Sequence, residues 1–166
     1  MNAADEADYR EFVVVRMEQM RRTAYLLSHD WHTADDLVAT ALHKLYLHWG
    51  RARQATNVDA YLHRMLVNTW IDVKRRPWSR REESTDTLPE QAVPLEAERD
   101  EAGLLPLLRA LPKRRRAVLV LRFYCDRSVE ETAEILGIST GTVKSQTARA
   151  LDGLRAALTE DPGVSA

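Results

Sequence analysis

Between residues 77 and 100 the chain loses all apolar periodicity, and that interruption limits what it can fold into. The run Arg80-Arg81-Glu82-Glu83-Ser84-Thr85-Asp86-Thr87-Leu88-Pro89-Glu90 is built from Pro, Ser, Thr and charge. Such a segment buries too little apolar surface to offset the entropy of ordering it. A flexible, self-repelling, acidic linker is therefore expected over residues 79–102. A chain of 166 residues divided there cannot build one large core, only two small ones, over residues 9–78 and 103–159. Both blocks repeat their apolar residues at helical spacing, and no window shows convincing strand alternation. The short apolar stretch at 118–121 sits in a helical context. The expected fold class is all-α, with two small helical domains.

In the first block a helix is expected over residues 9–27, with Phe12, Val13, Met17, Met20, Ala24 and Leu27 on one face. Thr33 is the expected N-cap of a second helix, and Asp35 and Asp36 fall in its first turn, where the helix dipole favours acids. Leu37, Val38, Ala41, Leu42, Leu45 and Trp49 line its inner face. Residues 50–56 read as a basic, polar loop. Asn57 caps a third helix that turns Leu62, Met65, Leu66, Thr69, Trp70 and Val73 inward and stops at Pro77. Tryptophans at such spacing serve a core more often than a ligand, and only Trp78 stands apart from it.

The second block opens on Leu104, Leu105, Leu107, Leu108 and Leu111, and Pro112 then starts a helix carrying Ala117, Val118, Leu121 and Arg122. The segment Ser128-Val129-Glu130-Glu131-Thr132-Ala133-Glu134-Ile135-Leu136 is a short amphipathic helix with an N-cap serine. Val129, Thr132, Ala133 and Leu136 form its expected buried stripe. Gly137 supplies a tight turn that a side chain would strain, and Ile138 plugs the corner. Ser139 or Thr140 caps the next helix, with Val143, Thr147, Ala150, Leu151, Leu154 and Leu158 facing inward. The spacing is that of a helix-turn-helix. It leaves Thr142, Lys144, Ser145, Gln146, Ala148 and Arg149 outward near the start of the second helix, with Thr140 at its head. These residues offer donors for phosphate, a glutamine able to pair with adenine, and cations able to pair with guanine. A plain helical hairpin with a solvated charged face is the alternative. It does not explain why a small Ala133, Gly137 and a polar helix start occur together.

The net charge of −1 argues against nucleic acid only as an average, because charge is segregated along the chain. Residues 9–81 hold 13 Lys and Arg against 7 Asp and Glu; residues 82–101 hold 8 acids and one base; residues 103–158 hold 10 bases against 5 acids. A basic footprint belongs to a domain rather than to a chain average. The polar, acidic first residues read as no secretory signal, and no apolar run approaches the ~20 residues of a membrane span. A cytoplasmic location without membrane insertion is expected. The single cysteine, Cys125, excludes an internal disulfide and reads as structural. His29 and His32, or His43 and His48, lack the i,i+4 spacing and companion ligands of a metal site. Gly-rich phosphate loops and nucleophile elbows do not occur either. No catalytic residue, metal or cofactor is expected, and the chain does not read as an enzyme.

The stretch from Leu111-Pro112-Lys113-Arg114-Arg115-Arg116-Ala117-Val118-Leu119 through Ser128-Val129-Glu130-Glu131-Thr132-Ala133 to Gly141-Thr142-Val143-Lys144-Ser145 closely resembles region 4 of extracytoplasmic-function (ECF) sigma factors. Ala34-Asp35-Asp36-Leu37-Val38, and Ala60-Tyr61-Leu62 through Leu66-Val67-Asn68 to residues 72–76, resemble their region 2. Arg75-Arg76-Pro77-Trp78 and Asp86-Thr87-Leu88-Pro89-Glu90 are similar to a sigma-E-like actinobacterial subgroup. The resemblance covers residues 9–158, with both domains in order. It implies a factor that binds core RNA polymerase, at the β′ clamp and β flap, and directs initiation at promoters with −35 and −10 elements. Asp35, Asp36, Leu37, Val38 and Ala39 would grip the polymerase. Asn57, Tyr61, Arg64, Asn68, Asp72, Lys74, Arg75 and Arg76 would meet the melted −10 strand, and Thr140, Thr142, Lys144, Ser145, Gln146, Ala148 and Arg149 the −35 duplex. An anti-sigma factor is a further partner that the resemblance admits, and the active protein would sit on the nucleoid.

Three positions depart from the family pattern. Ala39-Thr40 stands where Gln-Glu is common, Gln146 where arginine is common, and Ala148 where a larger residue is common. About 24 linker residues at ~3.3 Å each reach at most ~80 Å, and one and a half turns of duplex span ~50–55 Å, so two domains can sit on two elements. Two other readings share the helix-turn-helix: a regulator that binds its operator without polymerase, and an adaptor that never touches DNA.

Overall fold

A computed structural model describes residues 1–75 and 104–160, with the side chains of residues 73–75 and 160 excepted. The expected linker, Arg76, Trp78 and the side chains of Val73, Lys74 and Arg75 lie outside the described residues. The chain divides into two compact units, Met1–Leu88 and Pro89–Ala166. Every regular element among the described residues is helical. None of these helices is long and apolar enough to cross a membrane.

The first unit opens with α1 (Ala3–Ser28), longer than its apolar periodicity suggests. Asn2 caps it, its Oδ1 accepting the Asp5 N–H at 2.8 Å, and Asp5 and Glu6 complement the dipole in its first turn. At its other end His29 adopts the left-handed conformation (φ 60°) and donates its N–H to Tyr25 O. Helix α2 spans Trp31–Leu47. Its cap is Asp30 rather than Thr33, because the Asp30 carboxylate accepts from both the Thr33 N–H (3.1 Å) and the Thr33 hydroxyl (2.6 Å). Asp35 and Asp36 therefore lie beyond the first turn. A short turn, α3 (Trp49–Ala52), follows where a loop was expected; burying Trp49 and Ala52 winds that half of the segment. Asn57 caps α4 (Val58–Arg75), its Oδ1 accepting the Ala60 N–H at 3.0 Å.

These helices enclose Met20, Ala24, Leu27, Leu37, Ala41, Leu45, Leu62, Leu66 and Trp70. Trp31 and Trp49 are buried with them, so three of the four tryptophans serve the core. Met17 is 39% exposed, contrary to its expected inward position, while Thr23 is buried and returns its hydroxyl to Gln19 O. Thr23 fits an apolar face because that internal hydrogen bond satisfies its donor. Ion pairs tie the surface: Arg16 to Asp59, and Arg53 to Asp5 and Asp8. Exposed pairs of this kind contribute at most ~1 kcal/mol each, so they orient helices that burial holds together.

The second unit comprises α5 (Leu104–Ala110), α6 (Lys113–Leu119), α7 (Val129–Leu136) and α8 (Thr140–Glu160). Pro112 is the N-cap of α6, which runs on into a π-helical turn over Val120–Tyr124. One apolar cluster joins Leu111, Leu119 and Ala150 with Leu108, Leu151 and Leu154. A second joins Val118, Ala133 and Val143 with Val129, Leu136 and Ile138. Ile135 is buried as well, outside the stripe expected for α7. Cys125 is buried as a small apolar residue.

Arg116 is the least expected member of this interior, only 9% exposed within a run of four cations. Its guanidinium donates to the carbonyls of Leu108 (3.1 Å), Arg109 (2.9 Å) and Leu111 (3.2 Å), closing the end of α5. Burial, and then the nearby Arg109 cation, push its pKa below the ordinary arginine value. Replacing Arg116 with methionine keeps the apolar stem but removes three hydrogen bonds, of whose acceptors Leu108 O keeps the Leu111 N–H, at an expected cost of about 2–4 kcal/mol. All four tryptophans precede residue 89. In a urea titration of the intact protein, the variant should lower the transition seen by far-UV circular dichroism for the second unit. The tryptophan fluorescence transition should stay in place. Coincident transitions for wild type and variant by both probes would contradict this role.

Candidate nucleic-acid interface

The pair α7–α8 has the build of a helix-turn-helix. Ser128 and Glu131 form a reciprocal capping box, Ser128 Oγ accepting the Glu131 N–H (3.0 Å) and Glu131 Oε1 accepting the Ser128 N–H (2.9 Å). Gly137 closes α7 in the left-handed region (φ 67°), where a side chain is strained. Ile138 then returns its N–H to Ala133 O at 3.0 Å and packs into the core. Ser139, rather than Thr140, caps α8: its Oγ accepts the Thr142 N–H at 3.1 Å. Thr140 is thereby left exposed at the first helical position.

Val143 and Ala150 anchor α8 from beneath. The opposite crest exposes Thr140, Lys144, Ser145, Ala148 and Arg149. Thr142 is half-buried, with its hydroxyl 2.9 Å from Ser139 Oγ, and Ser145 Oγ donates to Thr142 O. Gln146 lies on the flank instead. It is half-buried, and its Oε1 accepts from Arg115 Nε on α6 at 3.1 Å. Arg115 was missed as a candidate, because one residue in a run of four cations carries no signal of direction. A contact across 31 positions cannot be read from spacing.

On α2 the structure separates the five expected polymerase contacts. Leu37 and Val38 are buried, at 1% and 5% exposure, and so are core rather than contact residues. They fall with Ala34, Ala41 and Leu45 on the helical stripe that faces the bundle. Asp35, Asp36 and Ala39 remain on the outer face beside Thr40 and His43. Asp35 is held by Arg21 (2.7 Å), whose guanidinium carbon stands 4.5 Å from the Trp31 ring centroid.

Asn57, Tyr61, Arg64, Asn68 and Asp72 follow one another at intervals of three or four residues, which places them along one face of α4 and its cap. Asn57, Arg64, Asn68 and Asp72 are exposed and Tyr61 half-buried. Asn57 spends its carbonyl oxygen on the cap. Buried Leu62, Leu66, Val67 and Trp70 hold the stripe rigid from behind. Each unit therefore presents one firmly backed, polar helical face of the kind that contacts phosphates and base edges.

Residues 15–80 match the family Sigma-70 region 2, and residues 107–156 match Sigma-70, region 4. A protein named RNA polymerase sigma-E factor, from Streptomyces coelicolor, is 38% identical over 154 residues, covering 89% of this chain and 84% of its own. The ECF RNA polymerase sigma factor SigM of Mycobacterium tuberculosis is 33% identical over 137 residues, covering 80% of this chain and 67% of its own. Among solved structures, the sigma factor RpoE in complex with the anti-sigma factor NepR, from Bartonella quintana, superposes with a TM-score of 0.73 at 23% identity. That alignment covers 93% of this chain and 98% of RpoE, and at such identity it speaks for the fold alone.

Proposed function

The chain belongs to the ECF branch of the sigma-70 family, and from that premise we propose that it binds core RNA polymerase and divides promoter recognition between its two units. As a sigma factor it directs promoter-specific transcription initiation. Residues 9–78 act as region 2, docking through the outer face of α2 and meeting the −10 element through the α4 stripe. Residues 103–159 act as region 4, laying the α8 crest in the major groove of the −35 element. Its work is binding rather than catalysis. Extruding a −10 base costs a few kcal/mol, and Asn57, Arg64 and Asn68 stand where polar contacts offset part of that cost. The cytoplasm and nucleoid are its place of action. An anti-sigma factor belongs to the same reading, as the complex of RpoE with NepR illustrates for a protein of this fold.

One observation carries the proposal. The same chain holds, in family order, one unit matching region 2 and one matching region 4, and each exposes a backed polar helical face. The test is in vitro transcription with core polymerase on a randomised promoter library. Enrichment of a bipartite −35 and −10 sequence, dependent on both proteins, is the expected result. A chain that selects a site equally well without polymerase is a free-standing regulator, and one that selects no sequence is an adaptor; either outcome overturns the proposal.

A further inference from the structure

The bond between Arg115 and Gln146 changes what the flank of α8 can recognise. A glutamine pairs with adenine by offering one acceptor and one donor together, to N6–H and N7. Here the Gln146 Oε1 acceptor already takes the Arg115 Nε–H at 3.1 Å. The amide oxygen keeps a second lone pair, but it is now crowded by donors: the Gln146 amide N–H groups and the remaining guanidinium N–H groups. A guanidinium beside the amide also repels the adenine N6 amino group, since both are donors. Position argues the same way. The crest of α8 holds Lys144, Ser145 and Ala148, whereas Gln146 lies to one side, half-buried against α6. Side chains on the crest of a helix in the groove reach base edges, and those on its flank meet the wall, which is phosphate.

Resting on the region 4 reading above, we propose that Arg115 and Gln146 form a two-residue phosphate grip, and that Gln146 reads no base. Arg115 supplies the charge and one arm of donors. Gln146 supplies a second donor, and the hydrogen bond between them aligns both before DNA arrives. The grip holds α8 in register while the crest residues discriminate sequence. A phosphate is acceptor-only and lies at every position of the backbone, so such a contact strengthens binding without choosing a base.

The test uses holoenzyme assembled from full-length protein and core polymerase, on promoters carrying every single-base change across the −35 element, over a range of salt. Arg115→Ala should weaken binding by a similar factor, about 3- to 20-fold, on every −35 sequence. It should also make the plot of log affinity against log salt shallower by about 0.9, the loss of one phosphate contact. Arg115→Lys should restore the slope, and Gln146→Ala should give a smaller uniform loss with the slope unchanged. A urea transition equal to wild type identifies variants whose fold is intact. A changed base preference in Gln146→Ala would show that Gln146 reads sequence, and unchanged affinity in Arg115→Ala would show that Arg115 touches no phosphate. Either result overturns the grip while leaving the sigma function in place. Wild-type holoenzyme that opened no promoter would instead overturn the function itself.

Discussion

Replacing Leu37 with alanine is expected to cost the first unit about 2–5 kcal/mol. Its side chain is 1% exposed within the bundle formed by α1, α2 and α4, and the backbone cannot collapse fully into the space that it leaves. The tryptophan fluorescence transition in urea should move to markedly lower denaturant, because Trp31, Trp49 and Trp70 report that unit. Polymerase binding should fall only as far as the unfolded fraction rises. Asp36→Ala is the contrasting variant: its side chain is on the surface, so the transition should stay and holoenzyme assembly should weaken. A Leu37→Ala protein of wild-type stability that no longer assembles would return Leu37 to the contact surface. An Asp36→Ala protein that assembles normally would remove Asp36 from it.

The second large effect belongs to the crest of α8. Lys144→Ala and Arg149→Ala are each expected to lower use of a −35-dependent promoter by about 1–3 kcal/mol where they meet bases, roughly 5- to 150-fold, and by less where they meet phosphate. Both residues are exposed, so the unfolding transitions should not move, and the loss belongs to recognition rather than to the fold. Measured against promoters altered in one −35 position at a time, a base contact shows as a relaxed preference at that position. A phosphate contact shows as a uniform loss. Transcription unchanged by both substitutions would remove the crest from the interface.

Much of the architecture was legible in local pattern. The helix-turn-helix could be read because its signals lie within a few residues of one another: a serine cap, a glycine needing a left-handed backbone, and apolar residues at helical spacing. The polar residues of α4 came from the family resemblance, and the structure adds that they lie on its exposed surface with Tyr61 half-buried among them. Cap choice was less legible. Thr33 and Asp30 are both acceptable caps by residue type, and the winner was decided by whether one carboxylate could take two donors at once. Met17 and Ile135 were misplaced because periodicity gives the direction of a face but not its width. That width depends on how close the neighbouring helices stand.

Apolar periodicity determined, from sequence alone, that the described elements are helical, and charge segregation gave both periodic blocks a basic character. Periodicity, caps and turn residues act over at most one or two turns of chain, and so they survive without knowledge of the fold. Three matters were left to tertiary structure. It put Leu37 and Val38 inside while Asp36 and Ala39 stayed outside. It drew Arg116 inward to three carbonyls while leaving Arg114 exposed. It joined Arg115 to Gln146, the glutamine oxygen accepting from a guanidinium on another helix. Each is a choice among residues with the same local signal, and such a choice is made only by what another helix places beside them.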